Sequence, residues 1–339
     1  MKKTAAKNQI INIPIKEDIY VIGDIHGCAY ELELMVAKLP LTSDSTIVFL
    51  GDYIDRGPDS KSVISYILEL KRQYHVYPIM GNHEQMLIEY LSEPNSEKGA
   101  RFIYNGGSTT LESYSTEPGK YTIPQDHLNF LYSLPLAYYN EEYFFVHAGV
   151  PDTSLDQLSP PIHKTDMLWI REKFLSSEFD WGKCIVHGHT PRKKVDILGN
   201  RVNLDTGCVF GNYLTAMHLP SHEIFQVKKQ HAEKIRYLRD TKESTRELMR
   251  FQGSIRVSIW TGEKWCSYVS EDYSNQGLRV VAEPPSADSV LTEGEKIKGK
   301  IILSEDTLLP FEGLVVRVDS SDHKTSYGIQ FGELLETEE

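Results

Sequence analysis

Cysteine is scarce in this chain. There are four in 339 residues, Cys28, Cys184, Cys208 and Cys266, and no two form a Cys-x-x-Cys pair. That pattern fits reduced thiols in a cytoplasmic protein. Positive charge is also short: 36 Lys and Arg stand against 48 Asp and Glu, for a net charge of −12. A nucleic-acid polymer wants a basic surface, so it is not expected as the main partner. A small phosphorylated ligand in a local basic pocket remains compatible with this balance. No run reaches the roughly 18 consecutive apolar residues of a membrane helix. Near the start, Ile10-Ile11-Asn12-Ile13-Pro14-Ile15 is too short and too interrupted for a secretory signal. Internal repeats and low-complexity tracts are missing as well. What remains is ordinary globular composition, 40% hydrophobic and 25% charged, long enough for one large domain or two ordinary ones.

Against this background three polar clusters stand out. Gly51-Asp52-Tyr53-Ile54-Asp55-Arg56-Gly57 follows the apolar run Ile47–Leu50. Gly23-Asp24-Ile25-His26-Gly27 follows Ile19–Ile22, and Gly81-Asn82-His83-Glu84 follows Val76–Met80. Each apolar run reads as a buried strand, and each cluster as the turn at its carboxyl end. Helical patterns lie between them, at 29–39 and at 59–73, and a third opens at His83. Asp24, Asp52 and Asn82 are thus 28 and 30 residues apart, about the length of a βαβ unit. Parallel strands bring their carboxyl ends to one rim, where open α/β sheets hold ligands. Carboxylate, amide and imidazole groups gathered there suit hard or borderline divalent cations.

The motifs GDxHG, GDxxDRG and GNHE, in this order, resemble those of the metal-dependent phosphoprotein phosphatases, within the calcineurin-like metallophosphoesterases. Two later stretches fit the same pattern: Val146-His147-Ala148-Gly149 and His187-Gly188-His189-Thr190. The resemblance covers about residues 17–227. It implies an α/β fold, a two-sheet sandwich flanked by helices. It also implies two divalent metal ions, manganese first, with iron or zinc as alternatives. One ion takes Asp24, His26 and the bridging Asp52; the other takes Asp52, Asn82, His147 and His189. His83 is implied as general acid, held by Asp55, and Arg56, Arg171 and Asn82 as phosphate-binding groups. His187 competes with His189 by period-two spacing; the family pattern selects His189 and leaves His187 as a neighbour behind it. After the last histidine the chain reads Asn203-Leu204-Asp205-Thr206-Gly207-Cys208, with no long substrate loop. That looks like the compact bacterial branch, which includes Ser/Thr and Tyr protein phosphatases and diadenosine tetraphosphate hydrolases. A phosphoprotein substrate is the first expectation, the dinucleotide the second.

Elsewhere the residues are less explicit. Residues 95–124, with Asn105-Gly106-Gly107, read as loop, and 151–166 as a Pro- and Ser-rich connection. Strands near 201–206, 213–219 and 222–227 are expected to complete a second sheet. Residues 1–16 read as a tail and lead-in, and the charged stretch 228–245 as a linker. From 246 to 339 apolar residues alternate: Ile255, Val257 and Ile259, Leu278 and Val280, Leu314, Val316 and Val318, Ile329 and Phe331. That predicts a small all-β barrel. Arg246-Glu-Leu-Met-Arg250 and Asp272-Tyr-Ser274-Asn-Gln-Gly277 resemble the RxxxR and DxSxxG motifs of the PilZ domain. The resemblance implies a cyclic di-GMP receptor, with Arg246, Arg250, Asp272, Ser274 and Gly277 at the ligand. Arginine suits that task, since its fork pairs with phosphate and with guanine O6 and N7. The expected whole is a phosphatase whose activity answers to cyclic di-GMP. A catalytically silent receptor that docks a partner is the competing class.

Overall fold

The computed structural model describes residues 9–13, 18–117, 120–230, 251–252, 256–262, 264–274, 277–282, 291–302, 308–321 and 324–334. Arg246 and Arg250 lie outside these residues, as do the expected linker beyond Gln230 and most of the lead-in.

The N-terminal part begins with β1 (Ile10–Asn12), β2 (Ile19–Ile22), α1 (Ala29–Lys38), β3 (Thr46–Phe49), α2 (Ser60–Leu70) and β4 (His75–Pro78). It continues with α3 (Asn82–Ser92), α4 (Glu97–Phe102), α5 (Ser108–Ser113), the short pair β5 (Ser115–Glu117) and β6 (Lys120–Tyr121), and α6 (Gln125–Ser133). Then come β7 (Ala137–Tyr139), β8 (Tyr143–Val146), α7 (Pro160–Trp169), α8 (Glu172–Leu175), β9 (Cys184–His187), β10 (Asp196–Ile197), β11 (Arg201–Asn203), β12 (Tyr213–Leu219) and β13 (Glu223–Lys228).

Two sheets result, in the orders β13-β12-β2-β3-β4 and β1-β7-β8-β9-β11-β10. Strands β2, β3 and β4 are parallel, and Ile22 pairs Phe49, which pairs Pro78. The three runs therefore end level, and the three polar clusters leave from one rim. Both faces of β2 and β3 are buried, which is why their sequences are continuous apolar runs rather than alternations. Ile19, Val21 and Val48 meet Phe145, Val186 and Val202 from the other sheet in a shared core. On the far side α1 contributes Leu32 and Met35, and α2 contributes Val63, Ile64 and Ile67. Asp59 starts α2 by accepting the Ser62 N–H at 3.0 Å.

Three expectations need correction. The strands at 213–219 and 223–228 do not complete the second sheet. They extend the first, because β12 pairs antiparallel with β2. The stretch read as loop at 95–124 is largely helical. Ser96 caps α4 through the Gly99 N–H, and Gly106, at φ +96°, only breaks the run between α4 and α5. Likewise, residues 160–166 belong to α7, whose first turn accommodates Pro160 and Pro161 because N–H groups there need no partner.

The C-terminal part is all strand: β14 (Phe251–Gln252), β15 (Arg256–Trp260), β16 (Trp265–Ser274), β17 (Gly277–Ala282), β18 (Lys296–Ile302), β19 (Leu308–Ser321) and β20 (Lys324–Leu334). The order β16-β15-β18-β19-β20-β17 closes where β17 pairs back on β16, giving a six-stranded antiparallel barrel. Val257, Ile259, Leu278, Val280 and Ile329 are buried in it as their alternation predicts. In β19 the phase is the opposite of that expected: Val315 is buried while Leu314 and Val316 are exposed. The run Leu314-Val315-Val316 carries no alternation, and a register shift follows Val315, so the pattern alone could not fix the face. Asp272 and Ser274 lie on β16, paired with Arg279 and Gly277 of β17.

Candidate active site

At the shared rim the backbone is forced into unusual shapes. Among the described residues, seven non-glycine positions have positive φ. Five of them are His26, Asp52, Asp55, Arg56 and His189, so the strain concentrates on the polar clusters. Such conformations persist only where the surroundings hold them. Here the surroundings are backbone. A Cβ on Gly57 would collide with the His26 carbonyl, and one on Gly81 with the Asp52 carboxylate. The motif glycines thus let the three turns touch. Glu84 then ties two of them together, accepting the N–H groups of Asp52 (2.9 Å), Tyr53 (2.8 Å) and Gly81 (2.9 Å).

Asp52 is the centre. Its Oδ1 lies 3.4 Å from His147 Nε2, and its Oδ2 lies 3.5 Å from His26 Nε2. Asn82 Oδ1 is 2.8 Å from His147 Nε2 and 3.0 Å from His189 Nδ1, and those two ring nitrogens are 3.2 Å apart. Asp24 accepts the His189 N–H at 3.1 Å. The six residues read from the sequence as metal ligands are therefore brought together, all of them buried.

The donor chemistry tests whether cations fit. His147 Nδ1 faces the Leu50 carbonyl at 2.8 Å, and His26 Nδ1 faces the Ile54 carbonyl at 2.9 Å. A carbonyl only accepts, so both Nδ1 atoms carry the ring proton and both Nε2 atoms present lone pairs. His147 Nε2 then points its lone pair at the Asn82 amide oxygen, 2.8 Å away, with no proton between them. Divalent cations resolve that arrangement, and a neutral imidazole fixed by a backbone carbonyl is the usual form of a ligating histidine. Charge agrees. Burial, then the charges of Asp205 and Asp52, drive the Asp24 carboxyl well above the ordinary carboxylate range. Burial pushes Asp52 up to about 7 and His147 down to about 4. Glu84, again through burial, is also raised to about 7. The pocket holds several carboxylates without enough positive charge, a deficit that bound cations would make up. Oxygen and imidazole donors without thiolate suit manganese, iron or zinc.

Beside this cage sits His83. Its Nδ1 pairs with Asp55 Oδ2 at 2.7 Å, and its Nε2 turns toward Asp52 Oδ2 at 4.0 Å. Asp55 is held in turn by Thr110, whose hydroxyl donates to Asp55 Oδ1 at 2.6 Å, while the Asp55 N–H donates to Thr110 Oγ1 at 2.8 Å. Burial, then Arg56, depresses the His83 imidazole, and burial raises the Asp55 carboxyl. A neutral acid–imidazole pair and a carboxylate–imidazolium pair hold the same two protons. Either way His83 Nε2 faces the cage and Nδ1 is spoken for by Asp55.

Arg56 is partly buried, with its guanidinium 5.3 Å from the Phe210 ring centre. Arg171 is exposed and donates from Nε to His189 Nε2 at 3.3 Å, so the least explicit of the phosphate-binding candidates also reaches the site. His187 does not join the cage. It is buried edge-on against Phe174 at 4.9 Å and meets the Gly188 carbonyl. Strand β9 ends at His187, and the positive φ at His189 breaks the alternation that linked the two. Glu84, Thr110 and Asp205 were not singled out from sequence. Glu84 had a signal, being the last residue of the GNHE motif; Thr110 had none.

Comparison with known proteins agrees with this geometry. The calcineurin-like phosphoesterase family matches residues 18–224, and the PilZ domain matches residues 239–339. A protein of Oceanobacillus iheyensis named bis(5'-nucleosyl)-tetraphosphatase PrpE [asymmetrical] is 32% identical over 238 residues, covering 62% of this chain and 91% of that protein. Its namesake in Bacillus subtilis is 29% identical over 234 residues, covering 61% and 93%. The crystal structure of a candidate diadenosine tetraphosphatase matches with TM-score 0.53 at 23% identity, covering 66% of this chain and 99% of that one, which shows a shared fold. With the family matched across the whole two-sheet domain and every motif turn meeting at one cage, the chain belongs to the calcineurin-like phosphoesterases and carries a PilZ domain at its C-terminal end.

Proposed function

We propose that this metallophosphoesterase hydrolyses dinucleoside tetraphosphates asymmetrically, and that its PilZ domain binds cyclic di-GMP. The observation that carries hydrolysis is the convergence of Asp52, Asn82, His147 and His189 donor atoms within 3.4 Å of one another's partners, with His26 on the other oxygen of Asp52. Asp24, His26, Asp52, Asn82, His147 and His189 would hold the divalent cations, whose chemistry when bound would be to activate a water and neutralise phosphoryl charge. The chain's own groups do the rest. Arg56 and Arg171 offer planar guanidinium forks to the phosphoryl oxygens, and the Asn82 amide adds a further polar contact. His83 gives its Nε2 proton to the departing oxygen, while Asp55 fixes the ring. The tetraphosphate reading is supported by the relatives at about 30% identity, which are aligned over more than nine-tenths of their length.

One observation favours a second reading, phosphoester hydrolysis on protein serine or threonine. An anhydride expels a phosphate anion, which needs little protonation, whereas an alkoxide needs a proton badly. The Thr110–Asp55–His83 relay is built for the harder case. Purified protein with manganese, offered diadenosine tetraphosphate and a phosphoserine peptide, separates the readings. ATP plus AMP formed with the higher kcat/KM supports the first, and phosphate released only from the peptide supports the second. No turnover of either substrate would leave the silent receptor.

For the barrel, titration calorimetry with cyclic di-GMP tests Arg246, Arg250, Asp272, Ser274 and Gly277 together, and Arg250→Ala is expected to abolish the heat. If the domains are coupled, cyclic di-GMP and substrate change each other's affinity by the same factor, typically ~5–150-fold.

A further inference from the structure

Phe210 is the most exposed large aromatic beside the cage, at 55% exposure. It follows the buried pair Asp205-Thr206 in a tight turn bracketed by Gly207 and Gly211, at φ +69° and +93°. Its N–H bonds the Gly207 carbonyl at 3.1 Å, so the turn is fixed rather than trailing. Arg56 lies against the ring, 5.3 Å from guanidinium to centroid. Exposure of half the side chain leaves a free aromatic surface next to a phosphate-binding arginine.

The same rim carries positive charge. Arg192, Lys193 and Lys194 follow directly on His189-Thr190-Pro191, and all three are exposed. None makes an ion pair among the described residues. The two loops are joined: the Arg192 N–H donates to the Asp205 carbonyl at 3.0 Å, and Asn212 Nδ2 donates to the Lys193 carbonyl at 3.2 Å. In a chain of net charge −12, three adjacent exposed cations beside the cage, unpaired among the described residues, mark a place for anions.

We infer that Phe210 and the Arg192–Lys194 run form the subsite for a nucleotide portion of the substrate, with the base stacked on Phe210 and the outer phosphates along the basic run. This rests on the tetraphosphate reading and deepens it. A simple phosphoester reaction at Arg56 needs neither an exposed ring nor further cations. A polyphosphate with a base at its end uses both. Phe210 has no polar edge, so it takes adenine and guanine alike and sets a preference for nucleotides over other phosphates.

The test compares wild type, Phe210→Ala, Phe210→Trp and the double variant Lys193→Glu/Lys194→Glu. Diadenosine tetraphosphate and p-nitrophenyl phosphate are the substrates, and ATP and inorganic tripolyphosphate the competitive inhibitors. Removing a base–aromatic stack costs about 5- to 150-fold. The ratio of kcat/KM for the dinucleotide to that for the aryl phosphate is expected to fall in that range in Phe210→Ala and to survive in Phe210→Trp. Phe210→Ala also erases the preference for ATP over tripolyphosphate, while the double variant weakens both inhibitors and flattens their salt dependence. If wild type cleaves the dinucleotide and Phe210→Ala keeps both ratios, the stacking site is wrong and the substrate reading stands. If wild type cleaves phosphopeptide but no dinucleotide, the substrate reading fails and the subsite falls with it.

Discussion

Replacing His83 by asparagine removes the proposed proton donor while substituting none of the cage residues. The side chain meets Asp55 Oδ2 at 2.7 Å through Nδ1, and only Nε2 faces the reacting region. Its contribution should therefore scale with how badly the departing oxygen needs a proton. General-acid catalysis is worth ~10²–10⁴-fold when the need is full. An alkyl phosphate, with its basic alkoxide, should lose that much kcat. The nitrophenolate of p-nitrophenyl phosphate is stable as an anion, and its loss should stay below about tenfold. Asp55→Asn probes the same proton from behind. It replaces the buried Asp55–His83 hydrogen bond, worth ~1.5–3 kcal/mol in its carboxylate–imidazolium form, so a loss of up to about 10- to 150-fold is expected on the alkyl substrate. The assay is steady-state hydrolysis of an alkyl and aryl phosphate series at saturating manganese, with metal content checked for each variant. A steeper dependence on leaving-group basicity in His83→Asn than in wild type is the expected result. Equal losses on every substrate, with metal retained, would refute proton donation by His83 and make it a structural member of the cage.

Metal uptake should release protons. Asp52 is pushed up to about 7 by burial, whereas His147, at about 4, is already neutral. A raised carboxylate keeps its proton until the pH exceeds its folded value, so manganese affinity should fall as pH drops below about 7, by up to tenfold per unit. Calorimetry in buffers of different ionisation heat should find proton release near pH 6, with the Asp52 share diminishing as the pH rises past about 7. Glu84→Gln turns one carboxylate oxygen into an NH2 group that faces either the Tyr53 N–H or those of Asp52 and Gly81; manganese affinity is expected to fall about 10–100-fold, with the fold retained by circular dichroism. Glu31 is fully buried, pairs with Lys229 at 3.0 Å and accepts the Gln230 N–H at 3.0 Å. Glu31→Ala strands that ammonium and should cost ~3–5 kcal/mol, read as a lowered urea midpoint for the metallophosphoesterase domain.

Much of this could be read before any coordinates, because the informative residues announce themselves locally. The parallel rim follows from three apolar runs spaced one βαβ unit apart, and the cage follows from the polar turns that end them. What escaped the reading depends on partners far along the chain. Sheet membership of 213–219 was lost because a strand's own residues do not say which neighbour it takes. The run Leu314-Val315-Val316 offered two phases and no means to choose. Thr110 is an ordinary threonine in a short helix, and its meaning comes only from Asp55, 55 positions earlier. Glu84 stood inside a recognised motif, yet its work is on backbone N–H groups, which every residue has and no motif spells. The chemistry proposed for the site is therefore legible in the candidate ligands and proton donor, and hidden in the groups that hold them still. That division has a physical cause. A ligand must be a particular element in a particular charge state, whereas a brace need only present an acceptor at the right point, and many residues at many positions can do so.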